Sequence, residues 1–192
     1  MTNIIKTEDN SKTLLGFWVY LMTDCVLFAS LFATYAVLQN NTYGGPSGKQ
    51  IFDLPNIFIE TILLLISSFT AGLVMLAVKK RNKNMVLFWL TITWILGALF
   101  LNLEITEFRN MVIDGNSWRS SGFLSSFFTL VGTHGLHIFA GLLWATLLAF
   151  QLAIKGFTEN VTRRLHLFSL FWHFLDIIWI FIFTIVYLRG SL

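Results

Sequence analysis

Five long runs of apolar residues, at about 16–38, 57–78, 85–108, 123–151 and 165–188, constrain this chain more than any other feature of its sequence. Each is long enough to cross a hydrocarbon core, which takes about 20 residues of α-helix. Lipid offers the backbone no hydrogen-bond partners, so a spanning segment must be a helix or a strand of a closed barrel. Barrel strands are short and alternate in polarity, whereas these runs are continuously apolar. Composition agrees: 56% of residues are hydrophobic and 12% charged, against roughly 25% charged in a soluble domain. Both prolines, Pro46 and Pro55, fall in the turn-rich connection QNNTYGGPSGKQIFDLPN.

The expected fold is an all-α integral membrane protein, one bundle of five transmembrane helices with no internal repeat. Residues 1–15 form a polar N-terminal tail, 16–188 the transmembrane domain and 189–192 a C-terminal tail. The first run lacks the small-residue cleavage site of a signal peptide and reads as an uncleaved anchor. Basic residues orient the bundle. Lys6, Lys12, Lys79, Lys80, Arg81, Lys83, Lys155, Arg163 and Arg164 fall on one side, against Lys49, Arg109, Arg119 and Arg189 on the other. The positive-inside rule places the N-terminus in the cytoplasm and the C-terminus outside. The net charge of +3 is spread over these connections rather than along one binding face, so no nucleic-acid partner is expected. The single cysteine, Cys25, provides neither a disulfide framework nor a thiolate metal cage and reads as an apolar filler.

Ionisable residues inside the runs are the functional candidates, because each costs roughly 2.5–3.5 kcal/mol at mid-membrane even on lenient scales. Asp24, His134, His137, His173 and Asp176 fall near the middle of their helices and can share one layer. Glu60, Glu104 and Glu107 collect nearer the outer ends of the second and third helices. Helical spacing sorts the faces: Ser169, His173 and Asp176 form one stripe, His134, His137 and Gly141 a second, and Gly97, Phe100, Glu104 and Glu107 a third. Small pairs beside them, Ala29 with Ala33, Ser68 with Gly72 and Gly141 with Ala145, allow close helix approach. Three chemistries are open to these residues. His-x-x-His with a further His and Asp is adequate metal-ligand chemistry; a chain of acids and imidazoles is the material of a proton relay; and the same groups can hydrogen-bond across helices and hold the bundle together. The inventory favours the last, since four histidines, one of them (His166) at the membrane boundary, are too few for a di-iron centre. A small secondary transporter or other proton-translocating protein is the alternative function. Transporters of that kind use repeats or helices broken by Gly and Pro at mid-membrane, which these runs lack.

Four stretches are more specific. GFWVYLMTDCVLFASLFATYAVL, NLEITEF, GTHGLHIFAG and FWHFLDIIWIFIF together resemble subunit III of the haem–copper terminal oxidases, most nearly the cytochrome o (bo-type) ubiquinol oxidase branch, and the likeness extends over about residues 14–189. The resemblance implies a complex of the aerobic respiratory chain in a bacterial inner membrane, which oxidises ubiquinol, reduces dioxygen to water and pumps protons. It implies that haems and copper sit in the large catalytic subunit and that this chain binds no cofactor and carries no catalytic residue. Subunits I, II and IV are the implied protein partners, and phospholipid and support of proton supply are associated with the family. Asp24 stands where the cytochrome c oxidase branch usually has Glu, the acid known for carbodiimide reactivity, and its carboxylate is one methylene shorter in reach. That branch also carries two further N-terminal helices without counterpart among these runs, so a lipid cleft built with them does not carry over, and in the quinol branch the small fourth subunit is expected near that space.

Overall fold

The computed structural model describes residues 2–44, 48–52 and 54–191, with side chains from Lys12 onward except at Gln50 and Ser191. Pro46 lies outside the described residues. The elements are helices α1 (Thr2–Leu38), α2 (Gly48–Ile51), α3 (Leu54–Lys79), α4 (Lys83–Ile113), α5 (Gly122–Lys155) and α6 (Glu159–Ile182), a π-helical turn (Phe183–Leu188) and a last turn α7 (Arg189–Ser191). Among the described residues, five stretches are long and apolar enough to cross a membrane. The helices outrun the apolar runs: α1 continues back through the polar tail to Thr2, α4 continues to Ile113, and α6 starts at Glu159 and carries Arg163 and Arg164 within it.

Local chemistry sets these ends. Asn82, Ser121 and Thr158 each accept a hydrogen bond from the backbone N–H three residues on, at Met85, Leu124 and Val161. Such caps satisfy donors that a helix start leaves orphaned, each worth about 1 kcal/mol. α5 stops at Gly156, whose φ of +64° suits glycine. Lys83 Nζ donates to the Ala153 carbonyl at 2.7 Å and Arg164 to Gln151 Oε1 at 2.8 Å. These bonds gather the basic ends of α4, α5 and α6 together.

α3, α4, α5 and α6 form a closed ring in which each packs on the next and α6 returns to α3, while α1 lies outside the ring against α5 and α6. Lipid is as apolar as leucine, so close packing and interhelical hydrogen bonds must hold such a ring. Trp172 on α6 supplies both. Its indole is fully buried and lies so close to α4 and α5 that a Cβ added at Gly97 or at Gly141 would stand 2.8 Å from the ring. Its N–H donates to Ser67 Oγ on α3 at 3.0 Å, and Ser67 donates to the Thr93 carbonyl on α4 at 3.3 Å. Trp179, two turns on, donates to Thr61 Oγ1 at 3.1 Å. One tryptophan thus touches all three other helices of the ring. Among the expected small pairs, Gly141 and Ala145 are buried at this seam, whereas Ala29 and Ala33 face outward and serve no contact within this chain. Cys25 is likewise exposed rather than a filler.

Because the obstacle at Gly97 and Gly141 is a rigid indole, Gly97→Ala and Gly141→Ala should each destabilise by about 1–3 kcal/mol. Thermal unfolding of the detergent-solubilised protein should show a lowered Tm for both, and an unchanged Tm would remove Trp172 as the keystone.

Candidate functional site

The inner polar residues do not form a single cluster; they fall into three settings. On the α1–α5 side, Asp24 is buried with its Oδ2 3.8 Å from His137 Nε2, too long for a direct hydrogen bond. His137 donates from Nδ1 to the Thr133 carbonyl at 2.7 Å, which leaves Nε2 facing the acid. On the α3–α6 side, Ser68 Oγ lies 2.7 Å from His173 Nδ1, with the Asp176 carboxyl close by. The hydroxyl can accept from the imidazole or donate to it according to the tautomer, so Ser68 ties His173 on α6 to α3. Ser169, the third member of that stripe, is buried one turn away.

His134 is in neither group. Its ring is wholly buried, stacked on Trp179 at 5.3 Å between centroids and edge-on to Phe100 at 6.0 Å. Both ring nitrogens are without a hydrogen-bond partner among the described residues. His173 turns to Ser68 of α3, and Trp179 rather than a polar group lies on His134.

The outer acids do come together. Glu60 from α3 and Glu104 and Glu107 from α4 lie close enough to interact electrostatically. Glu60 and Glu104 are each only 2% exposed. Tyr187, in the π-helical turn, donates a long hydrogen bond of 3.5 Å to Glu107 Oε2. Glu104 lies against the backbone of α5 at Gly135, where a Cβ would stand 2.7 Å from its Oε1. The glycine of the HGLH stretch thus makes room for a carboxyl from the neighbouring helix.

These placements limit the chemistry. Among the described residues no three His, Cys, Asp or Glu side chains are arranged to hold a metal ion; the inner layer offers pairs, against the three or four ligands of a zinc-type site. The sequence reading missed four contributors: Ser68 as the partner of His173, Trp172 and Trp179 as buried hydrogen-bond donors, and Tyr187 on Glu107. Ser68 could have been found from its helix face, and Trp172 and Trp179 from their seven-residue spacing, which puts two indoles on one stripe of α6. Tyr187 carried no such signal, because the π-helical turn shifts the register on which spacing arguments rest.

Fold and site together define a polytopic α-helical membrane protein with its ionisable groups turned into the bundle. A sequence model of the family described as cytochrome c oxidase subunit III matches residues 7–191. The chain is 55% identical over 185 residues to the cytochrome bo(3) ubiquinol oxidase subunit 3 of Pseudomonas aeruginosa, covering 96% of this chain and 88% of that one. It is 51% identical to the protein of the same name from Pseudomonas putida, covering 96% and 89%. It is also 45% identical to a cytochrome c oxidase subunit 3 from a Bacillus species, again over 96% and 89%. The chain belongs to the cytochrome c oxidase subunit III family.

Ser68→Ala should cost about 1–3 kcal/mol by leaving buried polar groups unpaired. Combined with His173→Ala, the loss should be less than the sum of the two singles, because both changes break one network. Additive losses would show that the Ser68 contact contributes nothing.

Proposed function

We propose that this chain is the non-catalytic third subunit of a proton-pumping ubiquinol oxidase of the aerobic respiratory chain. The complex oxidises ubiquinol and reduces dioxygen to water in a bacterial inner membrane. The observation that carries this reading is near-full-length identity to proteins named as the third subunit of a ubiquinol oxidase. It also sets aside the transporter alternative, for which neither repeats nor broken helices argue. Haems and copper belong to the catalytic partner, with subunits I, II and IV as the protein partners and phospholipid around the bundle.

Charge supports the orientation. Lys83, Lys155, Arg163 and Arg164 gather at the end of the bundle where α5 passes to α6, together with Arg81, and that end is assigned to the cytoplasm by the positive-inside rule. The N-terminus is then cytoplasmic and the C-terminus periplasmic.

Within the subunit, the inner polar groups act as fasteners. The Ser68–His173 hydrogen bond joins α3 to α6, and the 3.8 Å approach of Asp24 to His137 sets the peripheral α1 against the ring. An interhelical hydrogen bond in lipid is worth about 0.6–2 kcal/mol, enough to set helix rotation without supplying a reaction centre. The outer face of α1, with Val26 and Val37 strongly exposed, is left to lipid or to another subunit.

Mild solubilisation and purification on a tag carried by this chain should bring down haem absorbance, a much larger partner and ubiquinol oxidase activity; a colourless lone protein would sink the assignment. Asp176→Asn and His173→Ala should lower the yield of assembled complex while turnover per haem stays near normal. Normal assembly with a sharp loss of proton pumping would assign these residues to a relay instead.

A further inference from the structure

We propose that Glu60, Glu104 and Glu107 form a proton-exchange site that opens through a polar cavity to the side of the membrane opposite the basic connections. The inference rests on the proposed orientation only for naming that side the periplasm. A cavity of about 340 Å³ lies at the outer ends of α3 and α4, and its walls include Asn56, Glu60, Thr106, Glu107, Asn110 and Asp114. Liquid water occupies about 30 Å³ per molecule, and a buried water needs two to four polar partners. The cavity meets both conditions, with amide, hydroxyl and carboxyl groups on its walls.

Glu60 and Glu107 line it, and Glu104, just short of a turn from Glu107 on α4, lies beside them. Glu60 lines the cavity, is 2% exposed, and has an Oε2 with no hydrogen-bond partner among the described residues; Glu104, equally buried, likewise has an unpartnered Oε2. Below them the route closes. Phe100, one turn inward of Glu104 on α4, packs edge-on against Trp179 at 4.7 Å and against His134. The cluster therefore communicates with one side of the membrane and not with the His173 and Asp24 groups. This is a dead-end exchange site rather than a wire.

Two further features point to the same place. The π-helical turn Phe183–Leu188 brings the fully buried Tyr187 hydroxyl onto Glu107, and π-bulges inside helices frequently occur at functional sites. Gly135 hollows α5 where the Glu104 carboxyl lies. The titratable groups of the cluster are Glu60 from α3, Glu104 and Glu107 from α4 and Tyr187 from the π-helical turn, with Asp114 of α4 on the cavity wall; the nearest others are His134 of α5, beyond Phe100, and Tyr35 of α1 with Arg189 of α7, at the Val186 carbonyl. In uptake, hydronium in the cavity gives its proton to a carboxylate oxygen and leaves as water; one O–H bond breaks and one forms, and release is the reverse.

Carbodiimides add to protonated carboxyls, so a permanently charged, water-soluble carbodiimide reads both protonation and access from a chosen side. The intact oxidase complex would be labelled in spheroplasts and in inverted membrane vesicles, and adducts on this chain mapped by mass spectrometry. The expected result is an adduct on Glu60 or Glu107 in spheroplasts, absent from inverted vesicles. Labelling of the exposed Asp114 with none on either glutamate from either side would overturn the exchange site. Adducts on Glu60 or Glu107 only in inverted vesicles would uphold the site and overturn the orientation. In infrared difference spectra of the purified complex, a carboxylic C=O band absent from Glu104→Gln should shift in D2O; a band that does not shift would overturn exchange at the deepest member.

Discussion

The indole of Trp172 occupies the point where four helices meet, and most of the structure depends on it. Its ring needs two neighbours without a Cβ, Gly97 and Gly141, and its N–H needs an acceptor, Ser67, on a third helix. Lipid exerts no hydrophobic pressure that would drive helices together, so the ring closes on contact geometry and hydrogen bonds. A bulky side chain that fits between two glycine backbones brings α4 and α5 onto α6 at one rotation each. Once α6 is held so, His173 can only turn toward α3, and Trp179 is carried to Thr61 and over His134.

This packing explains why the membrane-buried polar residues are partitioned. A polar group in the hydrocarbon layer is cheapest where it faces the protein interior, and two of the inner groups meet a neighbour on an adjacent helix. Asp24 lies against His137, and His173 meets Ser68. His134 lies between Trp179 and Phe100, where ring contacts replace hydrogen bonds. The aromatic layer that separates these settings also separates the outer acids from the inner histidines, so that one bundle holds fasteners at mid-depth and an open acidic pocket near one surface.

Helical periodicity made much of the site legible. Gly97, Phe100 and Glu104 are buried along one stripe of α4 as their spacing requires, and Ser169, His173 and Asp176 fall on one side of α6. Gly135, read in the sequence as part of a motif, gains a physical reason from the Glu104 carboxyl that rests on it. Other features were not legible. Ala29 with Ala33 has the same spacing as Gly141 with Ala145, yet one pair faces outward and the other lies at the seam, because α1 touches the ring along a narrow strip. Cys25 follows Asp24 by one residue and so points some 100° away from it, out of the bundle.

The amino-acid sequence alone determined the five spans, their all-helical character and the face of each helix that carries polar groups, because hydrocarbon thickness and the helical repeat act on each segment independently. It also carried enough family likeness to place the chain among oxidase subunits. What the tertiary structure decided is which faces meet. Knowing the polar stripe of α6 does not say whether it turns to α1 or to α3; that depends on the fit of Trp172 between two glycines on other helices. Nor does spacing on α6 lead to Tyr187 beside Glu107, since the π-helical turn changes the angle per residue. Contacts between helices are set by shape complementarity among segments distant in sequence, and no periodicity within one segment encodes them.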